Sequence, residues 1–156
     1  MSNLQYIKNY FAHSQTDILC IQEHWLFKFQ QSNLSNISDN TSFLATSVDE
    51  DDPLLPLSHP RGYGGVAIIW RSVLDRYIEP IASKSNRCIA ITLTTNHEQY
   101  ILINTYTPSS GHSIEEYQMV LDEVAAIFYR YQDSHKIMWL GDLNGSLVRS
   151  PTVILI

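Results

Sequence analysis

The chain has 156 residues, 44% of them apolar and 17% charged, with a net charge of −6. That length suits one domain with its own core, and the composition excludes a disordered or fibrous chain. The negative balance excludes broad electrostatic wrapping of nucleic acid, but not a small contact made through a metal ion. Charge is uneven: acids outnumber bases seven to two over residues 1–60 and six to three over residues 111–156, whereas residues 61–110 hold five bases and three acids. The basic middle is therefore the candidate phosphate-facing part. Cys20 and Cys88 stand singly in apolar runs, which reads as two buried free thiols in a reducing compartment rather than a disulfide framework or a zinc motif. The start is polar, unlike a signal peptide, and no apolar run approaches the ~20 residues of a membrane span. An intracellular location is expected.

Leu4, Ile7 and Phe11 recur at helical spacing behind a Ser2–Gln5 capping box and predict a short amphipathic helix ending near Ser14. Residues 17–22 predict a strand buried on both faces, ending in Glu23-His24-Trp25. A carboxylate directly after a buried strand needs a cation, an arginine or backbone donors; a surface glutamate in a loop is the plainer reading. His24 reads either as a substrate contact or as a packing histidine. Residues 30–41, rich in Gln, Ser and Asn, read as loop, and residues 41–48 as strand. Asp49-Glu50-Asp51-Asp52, followed by Pro53, Pro56 and Pro60, reads as a solvated insertion without the ligand spacing of a calcium loop.

Arg61-Gly62-Tyr63-Gly64-Gly65 leads into a strand over residues 66–70, the glycines suiting a tight turn or close packing of backbones. It is no dinucleotide fingerprint, since the glycine spacing is absent and a strand follows. Residues 76–82 predict an edge strand that carries Pro80. Residues 87–93 and 99–106 predict an antiparallel hairpin through the turn at 94–98. Side chains alternate along a strand, so Asn104 and Tyr106 share a face. A phenol at the strand end either donates to a phosphate oxygen or caps the core. Ser113 and Glu116 form a capping box for the longest helix, to about Tyr131, with Ile114, Tyr117, Leu121, Val124, Ile127, Phe128 and Tyr131 as its apolar stripe.

The stretch after that helix, Lys136 to Gly145, holds the densest chemistry. The apolar run Ile137 to Leu140 predicts a short buried strand, stopped by Gly141. Asp142 and Asn144 follow at the strand's carboxyl end, where open α/β sheets bind ligands. A carboxylate accepts a proton or coordinates a cation, and a carboxamide donates to a developing negative charge. A polar turn after a core strand is the alternative. Together the elements predict helix layers on a mixed sheet.

Four motifs in order, Ile21-Gln22-Glu23, Gly64-Gly65-Val66-Ala67, Asn104-Thr105-Tyr106-Thr107-Pro108 and Gly141-Asp142-Leu143-Asn144, resemble the endonuclease/exonuclease/phosphatase superfamily with its DNase I-like fold. Gln22-Glu23-His24-Trp25-Leu26 and Trp139-Leu140-Gly141-Asp142-Leu143-Asn144-Gly145 look most like the endonuclease domains of non-LTR (LINE-type) retrotransposons. The resemblance covers residues 2–145 and leaves 146–156 unmatched within a single domain over 1–156. It implies an α/β (α+β) fold: a partial DNase I-like sandwich, largely antiparallel, with flanking helices, the second sheet largely missing and apolar strand surface exposed. It implies a DNA-nicking phosphodiesterase dependent on Mg²⁺ (or Mn²⁺), with Glu23 as metal ligand, Asp142 as the water-orienting acid, Asn144 as its partner and Tyr106 as a phosphate contact. Asn104 and His24 are the candidate substrate contacts. A downstream reverse transcriptase domain and a nuclear location are further implications. The family pattern also contains an opening strand with a metal-site Asn and a closing Ser-Asp-His motif. Neither has a counterpart in this sequence, so the resemblance implies an inactive or impaired chain. Two alternatives stand beside this reading. One is a phosphatase or phosphodiesterase of the same superfamily acting on a small phosphoester, disfavoured by Gly145-Ser146 where inositol phosphatases carry Tyr-Arg. The other is a non-catalytic fragment or binding module.

Overall fold

Alternation along the strands decides the architecture. In β3 (Val66–Arg71), Val66, Ile68 and Trp70 point to one side and Ala67 and Ile69 to the other, and all five are buried. A strand buried on both faces needs a layer on each. The computed structural model describes residues 3–50, 64–109 and 111–145. The Ser2 cap, the acidic proline-rich insertion from residue 51, the turn residues 61–63 and the tail 146–156 lie outside the described residues.

Two sheets form, not one. β1 (Ile18–Gln22) and β2 (Thr41–Thr46) flank β3 in the antiparallel order β1-β3-β2. β4 (Ile78–Ile81), β5 (Cys88–Thr94), β6 (Gln99–Tyr106) and β7 (Lys136–Asp142) make the order β4-β5-β6-β7. The β5–β6 pair is the expected hairpin, and the β6–β7 pair is parallel, joined by the crossover helix α2 (Ile114–Tyr131). Pro80 sits on edge strand β4, where its missing N–H disrupts no central ladder. The expected partial sandwich is thus present, its smaller layer being the three strands β1, β2 and β3.

Val66, Ile68 and Trp70 meet Ile78, Ile89, Ile91 and Leu102 between the sheets. Outside the smaller sheet, α1 (Asn3–His13) brings Phe11 against Ala67 and Ile69. Outside the larger sheet, α2 packs Val124 and Ile127 on Ala90, Ile101 and Ile103. The order of layers is helix, sheet, sheet, helix. Burial raises the Cys20 thiol to about 11 and, with Glu123's charge nearby, the Cys88 thiol to about 12, so both stay protonated and inert at neutral pH.

Four local expectations change. The loop over residues 30–41 is mostly a 3-10 helix, Lys28–Ile37, whose Leu34 and Ile37 are buried against Phe11; residues three apart eclipse on such a helix. β1 is half-buried rather than fully buried. The packed stripe of α2 is Val120, Val124 and Ile127, while Ile114 and Phe128 face solvent. Ser113 caps α2 as expected, its Oγ accepting the Glu116 N–H at 3.2 Å, but the Glu116 carboxylate turns to His112 Nδ1, 2.8 Å away, instead of closing the box. Ser113→Ala is expected to cost about 1 kcal/mol, read as a lower urea midpoint at unchanged slope.

The largest change concerns β7. Its apolar run is exposed at Met138 (40%), Trp139 (37%) and Leu140 (47%), with Ile137 alone packed on the core. A run of that composition fits a buried strand and an edge strand equally, and β7 is the last strand of its sheet among the described residues. No described helix is long and apolar enough to cross a membrane.

Candidate active site

The strand registers bring one set of ends to one rim. β1 ends at Gln22 opposite Val66, the first residue of β3. β6 and β7 end side by side at Tyr106 and Asp142, and β5 starts opposite Thr105. Glu23, Gly64, Gly65, Arg87, Tyr106 and Asp142 therefore stand together, although Glu23 and Asp142 lie 119 positions apart in sequence.

At Glu23 the backbone leaves the strand abruptly. Glu23 and Trp25 both adopt left-handed conformations, φ 55° and 56°, which cost non-glycine residues about 1–3 kcal/mol each unless surroundings enforce them. The enforcement is visible. The Trp25 N–H donates to the Gly64 carbonyl at 3.0 Å, and His24 is bonded at both ring nitrogens. Its Nε2 lies 3.0 Å from the Thr46 carbonyl and its Nδ1 3.0 Å from the Leu26 N–H. A carbonyl only accepts and an amide N–H only donates, so His24 is the neutral Nε2–H tautomer. This candidate substrate contact is occupied as a post for the loop.

The Tyr106 hydroxyl donates to Glu23 Oε1. That bond, then burial, then the charges of Glu23 and Asp142 push the phenol up to about 12, with Arg87 opposing. Tyr106 is thus a proton-bearing donor at neutral pH, not a nucleophile. The Arg87 guanidinium lies 5.6 Å from the Tyr106 ring centroid. Arg87 is not among the residues the sequence motifs single out; its signal there is a lone base directly before β5, which the hairpin register sets opposite Tyr106, its carbonyl accepting the Tyr106 N–H at 2.9 Å.

Asp142 and Asn144 form a turn locked to Thr107. The Asp142 carbonyl accepts the Thr107 N–H at 2.9 Å and its hydroxyl at 3.2 Å. Asp142 Oδ1 accepts the Asn144 N–H at 3.1 Å, and Asn144 Nδ2 donates to the Thr107 carbonyl at 2.8 Å. Asn144 is left-handed, φ 40°, a conformation asparagine tolerates better than most. Both side chains are exposed. Asn104, the other candidate substrate contact, is fully buried below the rim. Its Oδ1 accepts Gln22 Nε2 at 2.6 Å, and its Nδ2 donates to the Ile21 and Ala67 carbonyls at 3.0 Å each. No donor remains for a substrate.

The donor set suits a hard cation. Glu23 and Asp142 supply carboxylate oxygens, and the nearby His24 imidazole is bonded at both ring nitrogens. Among the described residues no group of three or more His, Cys, Asp or Glu surrounds a metal position. Two carboxylates on one rim can hold a hard divalent cation that keeps several of its own waters.

The sequence profile of the Endonuclease/Exonuclease/phosphatase family matches residues 2–151. The chain belongs to that family. Solved structures share its fold. The endonuclease domain of TRAS1, a telomere-specific non-LTR retrotransposon, is 15% identical, with TM-score 0.61 over 94% of this chain and 58% of that one. TDP2 of D. rerio in complex with a single-strand DNA product is 16% identical, with TM-score 0.61 over 92% and 54%. ANGEL2, a 2',3'-cyclic phosphatase, is 14% identical, with TM-score 0.58 over 92% and 42%. The family chain thus spans roughly half the length of these structures. No curated protein sequence matches it.

Proposed function

We propose that the rim carries metal-dependent phosphodiester hydrolysis on nucleic acid, as in the endonuclease domain of a non-LTR retrotransposon. The observation that supports this most is the convergence of Glu23, Tyr106 and Asp142 from the ends of β1, β6 and β7. Those strands belong to two sheets, so no local motif explains the meeting. Glu23 would hold Mg²⁺ or Mn²⁺, which when bound polarises a phosphoryl oxygen and stabilises the leaving oxyanion. Asp142, its backbone fixed by Thr107, orients a water and takes its proton. Tyr106, which stays protonated and donates to Glu23 in the free site, would turn its O–H to a phosphate oxygen once Glu23 is taken up by the metal, and Arg87 adds positive charge beside it. Asn144 holds the Asp142 carboxylate in place through its N–H. The TDP2 complex with a DNA product and the TRAS1 endonuclease favour a nucleic-acid substrate. A reverse transcriptase in the parent element and a nuclear site of action accompany this reading. Turnover by this chain should be slow, because Glu23, Asp142 and Asn144 are exposed to water, where electrostatic stabilisation counts for little.

The test is conversion of supercoiled plasmid to open circle with Mg²⁺. Asp142→Ala is expected to lower the rate by about 10²–10⁴-fold, the usual worth of a positioned acid–base group. Glu23→Gln should weaken Mn²⁺ binding. Equal nicking by wild type and Asp142→Ala would overturn the proposal. Hydrolysis of bis(p-nitrophenyl) phosphate without nicking would move it to small phosphoesters.

A further inference from the structure

We propose that Gln22 and Asn104 are positioning residues, and that their buried bridge between the two sheets sets the separation at which Glu23 and Tyr106 meet. The proposal rests on the proposed function only for what the rim does.

Gln22 is the last residue of β1 and directly precedes Glu23. Asn104 lies on β6 two residues before Tyr106 and so on the same face. Its side chain crosses from the larger sheet and makes three hydrogen bonds to the smaller one: from Gln22 Nε2 at 2.6 Å, and to the carbonyls of Ile21 on β1 and Ala67 on β3 at 3.0 Å. The main core cluster between the sheets is otherwise aliphatic and aromatic: Val66, Ile68 and Trp70 against Ile78, Ile89, Ile91 and Leu102. Apolar attraction holds the sheets together but is non-directional, so it fixes no sliding register. Three hydrogen bonds with narrow length and angle preferences do. They sit one residue from Glu23 and two from Tyr106, where a small slide would part the carboxylate from the hydroxyl. Asn104 is fully buried, and leaving its amide short of a partner in the interior is costly, so the bridge is held firmly.

The competing account is a buried polar group that serves stability alone. Four variants of the full chain separate the two: Gln22→Leu, Asn104→Ala, Glu23→Ala and, as control, Ile103→Ala, which faces α2 and does not touch the bridge. With ring-labelled tyrosine, the Tyr106 NMR signal is assigned by Tyr106→Phe, and its released position is marked by Glu23→Ala. Gln22→Leu and Asn104→Ala are expected to move the signal to the released position. Ile103→Ala should lower the urea midpoint and leave the signal in place. If the bridge variants lose stability while Tyr106 keeps its wild-type signal, the proposal is overturned. Should Asn104→Ala fail to fold, Gln22→Leu decides alone, because it leaves both Asn104 donors paired. Mn²⁺ titration adds a second readout, with an affinity loss of about tenfold expected for Gln22→Leu, as for residues that orient a metal ligand. The NMR measurement is metal-free. A wild type that binds no Mn²⁺ but shows the Tyr106 shifts would overturn the proposed function and support the bridge. A Gln22→Leu protein that keeps both the signal and the affinity would overturn the bridge alone.

Discussion

Gly141→Ala is expected to break the pairing of β6 with β7 at the rim and to destabilise the chain by about 3–5 kcal/mol, from left-handed strain plus lost hydrogen bonds. Gly141 has φ 139° and passes so close to β6 that an added Cβ would overlap the Thr105 carbonyl oxygen and lie 2.8 and 2.9 Å from Thr105 C and N. A clash with the end of a flexible side chain can relax; this one is with the backbone of a strand paired on both sides. β7, the edge strand, must therefore move. Its movement breaks the Asp142 carbonyl's bonds to Thr107 and the 2.9 Å bond from Trp139 Nε1 to Thr105 Oγ1. Asp142 leaves its place beside Tyr106, and a displacement of about 1 Å at a reacting group can cost ~10²-fold in rate. The urea midpoint and plasmid nicking should fall together. A wild-type midpoint for Gly141→Ala would show that β7 does not approach Thr105 this closely.

The parts of the fold that were legible in sequence are those decided locally. β5 and β6 announce themselves by alternation and a short turn, β4 by Pro80, and α2 by Ser113 and its spacing. Choices made by distant partners were not legible. Nothing in residues 17–22 or 41–48 says that these strands pair with β3 and leave β4 to β7 as a separate sheet. Leu34 and Ile37 lie in so polar a stretch that their shared face shows only once Phe11 covers it. The run Ile137 to Leu140 would read the same in a sheet's centre or at its edge. The site divides in the same way. Glu23, Tyr106 and Asp142 were placed by strand ends and by resemblance, and the rim gathers them. His24 and Asn104 have neighbours in sequence that suggest a role at the site, but their polar atoms are already bonded within the fold, His24 to Thr46 and Leu26, and Asn104 to Gln22, Ile21 and Ala67. Gln22 and Arg87 were passed over because their roles depend on Asn104 and Tyr106, far away in the chain.

Gly65→Ala is expected to act on Glu23 without touching it. Gly65 is left-handed, φ 81°, and a Cβ there would overlap the His24 ring, 2.6 Å from Nε2 and 2.9 Å from Nδ1. A histidine would ordinarily rotate away. His24 cannot do so cheaply, because its two ring bonds to Thr46 and Leu26 would both break and leave a carbonyl and an amide unpaired. Either outcome loosens the left-handed pair at Glu23 and Trp25 that the ring and Gly64 hold in place. The expected cost is about 2–4 kcal/mol, part backbone strain and part lost hydrogen bonds. A double-mutant cycle separates the two. His24→Ala removes the ring that alanine at position 65 would strike, so Gly65→Ala should cost at least about 1 kcal/mol less in that background. The residual cost reports the strain at φ 81°. Additive losses would mean that the ring and the glycine are not in contact, and the account of how Glu23 is held would fall with that result. Coupled losses, with weaker Mn²⁺ binding in both single variants, would place the control of the carboxylate in the glycine pair that opens β3.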